Sequence, residues 1–148
     1  MANDGPSETG AMPTVQRGLS LGLFGIFGRS PALREFDRAL RSVDLHPKLV
    51  PEAVKLTAVK LLKQQAGSDP ASQSCRAAAE IVGYCMVGAD VFAAANEPAL
   101  AAEVEGRIET ALASGTSVDA KLVLLMLHAG VIQPGVVDSF QLESAARD

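Results

Sequence analysis

At 148 residues, 48% hydrophobic and 20% charged, the chain is long enough for one ordinary domain and too apolar for a disordered or collagenous one. Two cysteines exclude a disulfide-stapled scaffold, and a net charge of −4 with a pI near 5.2 argues against a nucleic-acid binder. Aromatic residues make up only 4%, with no Trp, so the core has to be built from Leu, Val and Ala, the material of helix packing rather than of sheets.

Residues 1–18 combine Gly, Pro, Ser, Asn and Asp with few large apolar residues, which predicts a mobile tail. Next comes GLSLGLFGIFG, in which Leu19, Leu21, Leu23, Phe24, Ile26 and Phe27 are interrupted by glycines and flanked by Arg17 and Arg29. As a helix it would align Gly18, Gly22 and Gly25, but each interior Gly costs about 1 kcal/mol relative to Ala, so such a helix would not stand alone. Three arrangements are open: packing on its own bundle, docking on a partner or second copy, or insertion into a membrane surface. Own-bundle packing is favoured and the membrane least, because two arginines attract anionic lipid only weakly.

Ser30 and Pro31 read as N-cap and first residue of a helix to about Val43, with Leu33, Phe36, Leu40 and Val43 inward and Arg34, Arg38 and Arg41 outward. Past His46-Pro47, Pro51 opens a second helix to about Ala66, with Val54, Ala58, Leu61, Leu62 and Gln65 inward and Gly67 as its stop. Asp69-Pro70 opens a long Ala-rich helix to about Val87, burying Ala71, Cys75, Ala78, Ala79, Val82 and Met86. Asp90 caps a short piece to Ala95, and Asn96-Glu97-Pro98 restarts a helix to about Ser114, where Leu100, Val104, Ile108, Ala111 and Leu112 form the stripe and Glu103 pairs with Arg107. Ser117 caps VDAKLVLLMLHAG, whose run Leu122–Leu127 lacks a polar face and is therefore the central buried helix. That run is far short of the ~20 residues a membrane span takes. Pro134 opens a last helix, with Val137, Phe140 and Gln141 or Ser144 inward.

Charge is unevenly spread. Residues 29–63 carry eight basic groups against four acids, whereas residues 69–148 carry four basic groups against eleven acids. Such asymmetry steers partners or second copies, although two solvated faces of opposite sign in a monomer is the plainer reading.

Catalytic chemistry finds little to use. Cys75 and Cys85 lie ten residues apart on one helix, roughly 80° and about 15 Å from each other, which is too far to bridge, and both read as small buried residues. A Cys85–His128 pair has the residue types of a nucleophile and base but an apolar setting. His46 and His128 lack a ligand at i+3 or i+4, so no metal site is expected, and the glycines match neither phosphate-loop pattern. Tyr84 and Asp90 bracket Gly88 and can line a pocket where the long helix ends.

The expectation is an all-α bundle of about five amphipathic helices around a central buried helix, with a flexible N-terminal arm at 1–28 and one helical domain at 29–148 able to fold without it. The leading function is a non-catalytic adaptor or assembly subunit of the cytoplasm, without cofactor, docking on a protein partner or a second copy through the arm (Leu19, Leu21, Leu23, Phe24, Ile26, Phe27) and the basic face (Arg34, Arg38, Arg41). Peripheral membrane contact ranks below this, and nucleic acid is not expected. The runner-up is a bundle holding a small apolar ligand among Cys75, Cys85, Met86, Met126 and His128.

Overall fold

A computed structural model describes residues 29–142, and the chain divides between Arg34 and Glu35 into two units. The arm residues Leu19–Phe27 and Ser144 lie outside the described residues. The fold is all-α: among the described residues there are seven helices and no strand, namely α1 (Pro31–Ser42), α2 (Glu52–Ala66), α3 (Ser72–Val87), α4 (Ala89–Ala95), α5 (Pro98–Ser114), α6 (Val118–His128) and α7 (Pro134–Phe140). A 3-10 turn, Pro47–Leu49, joins the end of α1 to α2.

Most ends follow elementary capping. Ser30 Oγ accepts the Leu33 N–H at 3.1 Å, and Ser117 Oγ accepts the Ala120 N–H at 3.2 Å. Pro98 and Pro134 take first-turn positions, where a missing N–H costs nothing. Helix α3 departs from expectation: it begins at Ser72, Ala71 stands at the cap without a side-chain bond, and Asp69 pairs instead with Lys63 at 3.7 Å. Asp90 is likewise no cap. Gly88 (φ 90°, ψ 167°), in a conformation open only to glycine, turns the chain from α3 into α4 and leaves Asp90 in the first turn.

Within the unit from Glu35, α6 packs against α2, α3 and α5, which makes it the central helix. Its Ala120, Leu122, Val123 and Met126 are buried, but Leu124, Leu125 and Leu127 are only half-buried, so the run is not enclosed on every side. Helix α4 bridges α3 and α5. The small residues Cys75, Ala78, Ala79 and Gly83 are buried on α3, as close helix approach demands. Tyr84 nonetheless meets Phe92 and Phe140 edge-on, at 5.7 and 6.5 Å between ring centres, so among the described residues every aromatic ring but that of Phe36 gathers where α3, α4 and α7 meet.

Several inward assignments shift. On α2, Lys55 and Val59 are buried while Leu61 is half-buried and Gln65 exposed. On α3, Ala71 is exposed and Met86 half-buried. At the C-terminal end Val136 and Leu142 are the buried residues, whereas Val137 and Phe140 are half-buried and Gln141, in the left-handed region at φ 55°, is exposed.

Candidate functional site

The two thiols sit where their chemistry is suppressed. Burial pushes Cys85 up to about 12, and burial followed by the nearby Glu35 carboxylate raises Cys75 as well. Neither thiol is therefore a thiolate nucleophile at neutral pH. His128 is exposed in the last turn of α6, and among the described residues no hydrogen bond joins it to a thiol or a carboxylate. His46, also exposed, serves the fold: its Nδ1 accepts the Lys48 N–H at 3.1 Å and caps the 3-10 turn. Among the described residues no group of three or more His, Cys, Asp or Glu side chains could hold a metal ion.

The densest polar cluster is one that helical spacing misassigns. Arg107 does not pair with Glu103. Its guanidinium donates to Glu80 Oε1 at 2.9 Å, to both carboxylate oxygens of Asp119 at 3.2 and 3.3 Å, and to the Ala77 carbonyl at 3.0 Å, tying α5 to α3 and to the start of α6. Two clefts, of about 350 and 490 Å³, flank it and share Arg107, Ser117 and Asp119. With its donors committed to two carboxylates and a carbonyl, Arg107 has little left for an incoming anion, and the cluster reads as a clasp.

Two surface features have room for a partner. At the turn into α4 a cleft of about 420 Å³ is lined by Tyr84, Val87, Asp90, Val91, Gln133 and Val136 among others, as the Tyr84–Gly88–Asp90 spacing suggests. The Gln133 N–H donates to the Cys85 carbonyl at 2.8 Å and fixes one wall to the end of α3. The Tyr84 hydroxyl contacts Glu105 Oε2 at 3.4 Å; burial first, then that carboxylate, pushes the phenol up to about 12, so it remains a neutral donor. The second feature is the 3-10 turn, where Arg41, Asp44, Leu45, His46 and Leu49 border a shallower cleft of about 390 Å³.

Of the basic residues proposed for docking, Arg34 is exposed with its Nη1 on the Arg29 carbonyl, Arg38 pairs with Glu35, and Arg41 is exposed with no ion pair among the described residues. None of the four clefts is lined by Cys75, Cys85, Met86, Met126 or His128. Helical spacing also gives no sign of Lys55, only 4% exposed, whose ammonium is held by Asp37 at 3.2 Å and Glu52 at 3.3 Å. Leu49 and Val91 escape it too, since an outward apolar residue breaks no periodicity that a stripe would reveal. Among the described residues no single helix is long and apolar enough to cross a membrane; α5 and α6 together reach that length but meet at 93°. No family model, curated protein or solved structure matches the chain.

Proposed function

We propose that this chain is a non-catalytic subunit that works by docking on protein, foremost on a second copy of itself, through surfaces of opposite charge. The observation that carries the reading is what remains once the internal ion pairs are made. From Glu35 to Lys63, Arg41, Lys48 and Lys60 are left exposed without an ion pair among the described residues, against Asp44 alone. From Ala89 to Leu142, six exposed acids (Asp90, Glu97, Glu103, Glu105, Glu109 and Asp138) face a single exposed Lys or Arg without an ion pair among the described residues, Lys121. Charges that do not neutralise one another on their own surface raise encounter rates with complementary surfaces and discourage like ones.

The apolar stretch Leu19–Phe27 supplies, by its composition, a further contact element for the same role. Two free, buried cysteines suit a reducing compartment such as the cytoplasm. The test is carbodiimide cross-linking of a mixture of ¹⁵N-labelled and unlabelled chain, which joins lysines to carboxylates within salt-bridge reach. Links between copies, from Lys48 or Lys60 to acids of residues 90–138, are expected at low salt and should fade as the Debye length falls to about 8 Å at 0.15 M. Links confined to single copies at every salt concentration would overturn self-docking.

A further inference from the structure

We propose that the Lys48–Leu49 turn of one copy seats in the Asp90–Val91 cleft of another, a contact that rests on self-docking and names its two surfaces. The turn is built to project. Pro47 is buried, Leu45 and Val50 on either side are buried, the His46 ring caps the Lys48 N–H, and the Val50 N–H closes on the Pro47 carbonyl at 3.1 Å. Pinned at both ends, the turn holds Lys48 in solvent and leaves Leu49 63% exposed. A single exposed Leu is ordinary on a protein surface. One held outward by a capped, anchored turn and flanked by Lys48 and Arg41 has its ordering cost already met, which is the usual advantage of a preorganised contact.

The cleft has the complementary composition. Asp90 is the only charged residue of its lining, no base accompanies it, and among the described residues it has no ion pair. Val87, Val91 and Val136 supply apolar walls, and Val91 at the rim is 55% exposed. Of the three large apolar side chains most exposed among the described residues, Leu49, Val91 and Leu56, two therefore fall on the two halves of this one pairing. An ammonium against Asp90 and an isobutyl group against the valines would bury both together. The exposed acids Glu97, Glu103, Glu105 and Glu109 would draw the basic turn toward the acidic half during encounter. Because turn and cleft are different patches, each copy carries one of each, so the contact closes as a reciprocal dimer or extends head to tail.

The test is sedimentation velocity on the full chain at low salt, comparing wild type with Lys48→Glu, Asp90→Lys, Leu49→Asp and Val91→Asp. Each variant is expected to weaken association by about tenfold or more, because a like-charge contact or a buried unpaired carboxylate replaces a matched one. Circular dichroism should show all four as folded as wild type, since every altered side chain is exposed. Mixing Lys48→Glu with Asp90→Lys pairs the unaltered turn of one chain with the unaltered cleft of the other, and the two altered patches with signs reversed, and should restore a complex that each variant alone forms at least tenfold more weakly. Recovery on mixing cannot come from misfolding and would establish the pairing. Wild type that associates while the variants associate equally well would overturn this contact and leave self-docking standing, with another surface responsible. A wild type that stays monomeric would overturn both.

Discussion

Replacing Arg107 by Met keeps an unbranched apolar stem and removes the guanidinium that joins three helices. The loss can be bounded from its surroundings. Four hydrogen bonds run from Arg107 to Glu80, Asp119 and the Ala77 carbonyl. Bonds to charged groups contribute about 1.5–3 kcal/mol each when buried, whereas exposed ion pairs contribute about 0–1 kcal/mol. The side chains of Arg107, Glu80 and Asp119 are 23%, 13% and 28% exposed, between those limits, and Glu80 keeps Arg76 as a second partner at 3.2 Å. A net loss of about 2.5 kcal/mol follows, well below the sum of four buried bonds and above any surface pair. For a domain of this size, that corresponds to a Tm lower by roughly 8–12 °C. Urea unfolding of Arg107→Met, Asp119→Asn and the double variant should show a coupling of about 1 kcal/mol between the two sites. Arg107→Lys should recover less than half of the loss, because a point charge cannot span three acceptors. A loss under about 0.5 kcal/mol for Arg107→Met would refute the clasp and return α5 and α6 to apolar packing alone.

Other expectations follow from single residues. Gly106 lies inside α5 with nothing within 4 Å of an added Cβ, so Gly106→Ala should stabilise by about 0.5–1 kcal/mol in thermal unfolding. At Gly83 the same methyl would stand 3.3 Å from Phe92 Cε1 and 3.4 Å from Val43 Cγ2, both buried and unable to give way, so Gly83→Ala should destabilise by about 1 kcal/mol despite its helix propensity. Native protein at pH 8 should leave both thiols unreacted with an aromatic disulfide reagent and yield two on unfolding; fast labelling of Cys85 in the native state would contradict its burial. Cys85 and Tyr84 are both raised to about 12 from ordinary values of 9.0 and 10.0, so the unfolded chain gives up these protons first. Stability should therefore be full below pH 9 and fall as pH rises toward 12, by at most about 1.4 kcal/mol per pH unit for each group, as followed by urea unfolding across that range. Deleting residues 1–28 should leave cooperative helical unfolding, and its loss would make the apolar arm part of the core.

The helices are readable from the sequence because their ends are marked locally: Ser30 and Ser117 accept an N–H within one turn of themselves, and Pro98 and Pro134 take first-turn positions that need no N–H. Helix α6 can be placed at the centre because a run with no polar face has to be covered on several sides. What the sequence conceals is non-local. Glu103 lies at the right helical spacing for Arg107, yet two carboxylates on other helices, 27 and 12 residues away, capture it. Lys55 interrupts no apolar stripe when read as surface, and the arrival of Asp37 from 18 residues away, beside Glu52 one turn back, makes its burial tolerable. The cleft at Tyr84 can be anticipated because Gly88 forces a turn there, whereas Gln133 and Val136 join its wall from far along the chain. Arg38 is readable as part of a basic face, and its local pairing with Glu35, three residues back on the same helix, takes it out of the unpaired set.

If unpaired surface charge makes this chain assemble, its mass in solution has to depend on salt. Light scattering coupled to size-exclusion chromatography, run on the full chain at about 20 and about 500 mM salt, reads that mass directly. The expected result is a mass at least twice the 15.3 kDa of one chain at low salt, falling toward 15.3 kDa at high salt. A mass of 15.3 kDa under both conditions would contradict assembly by charge.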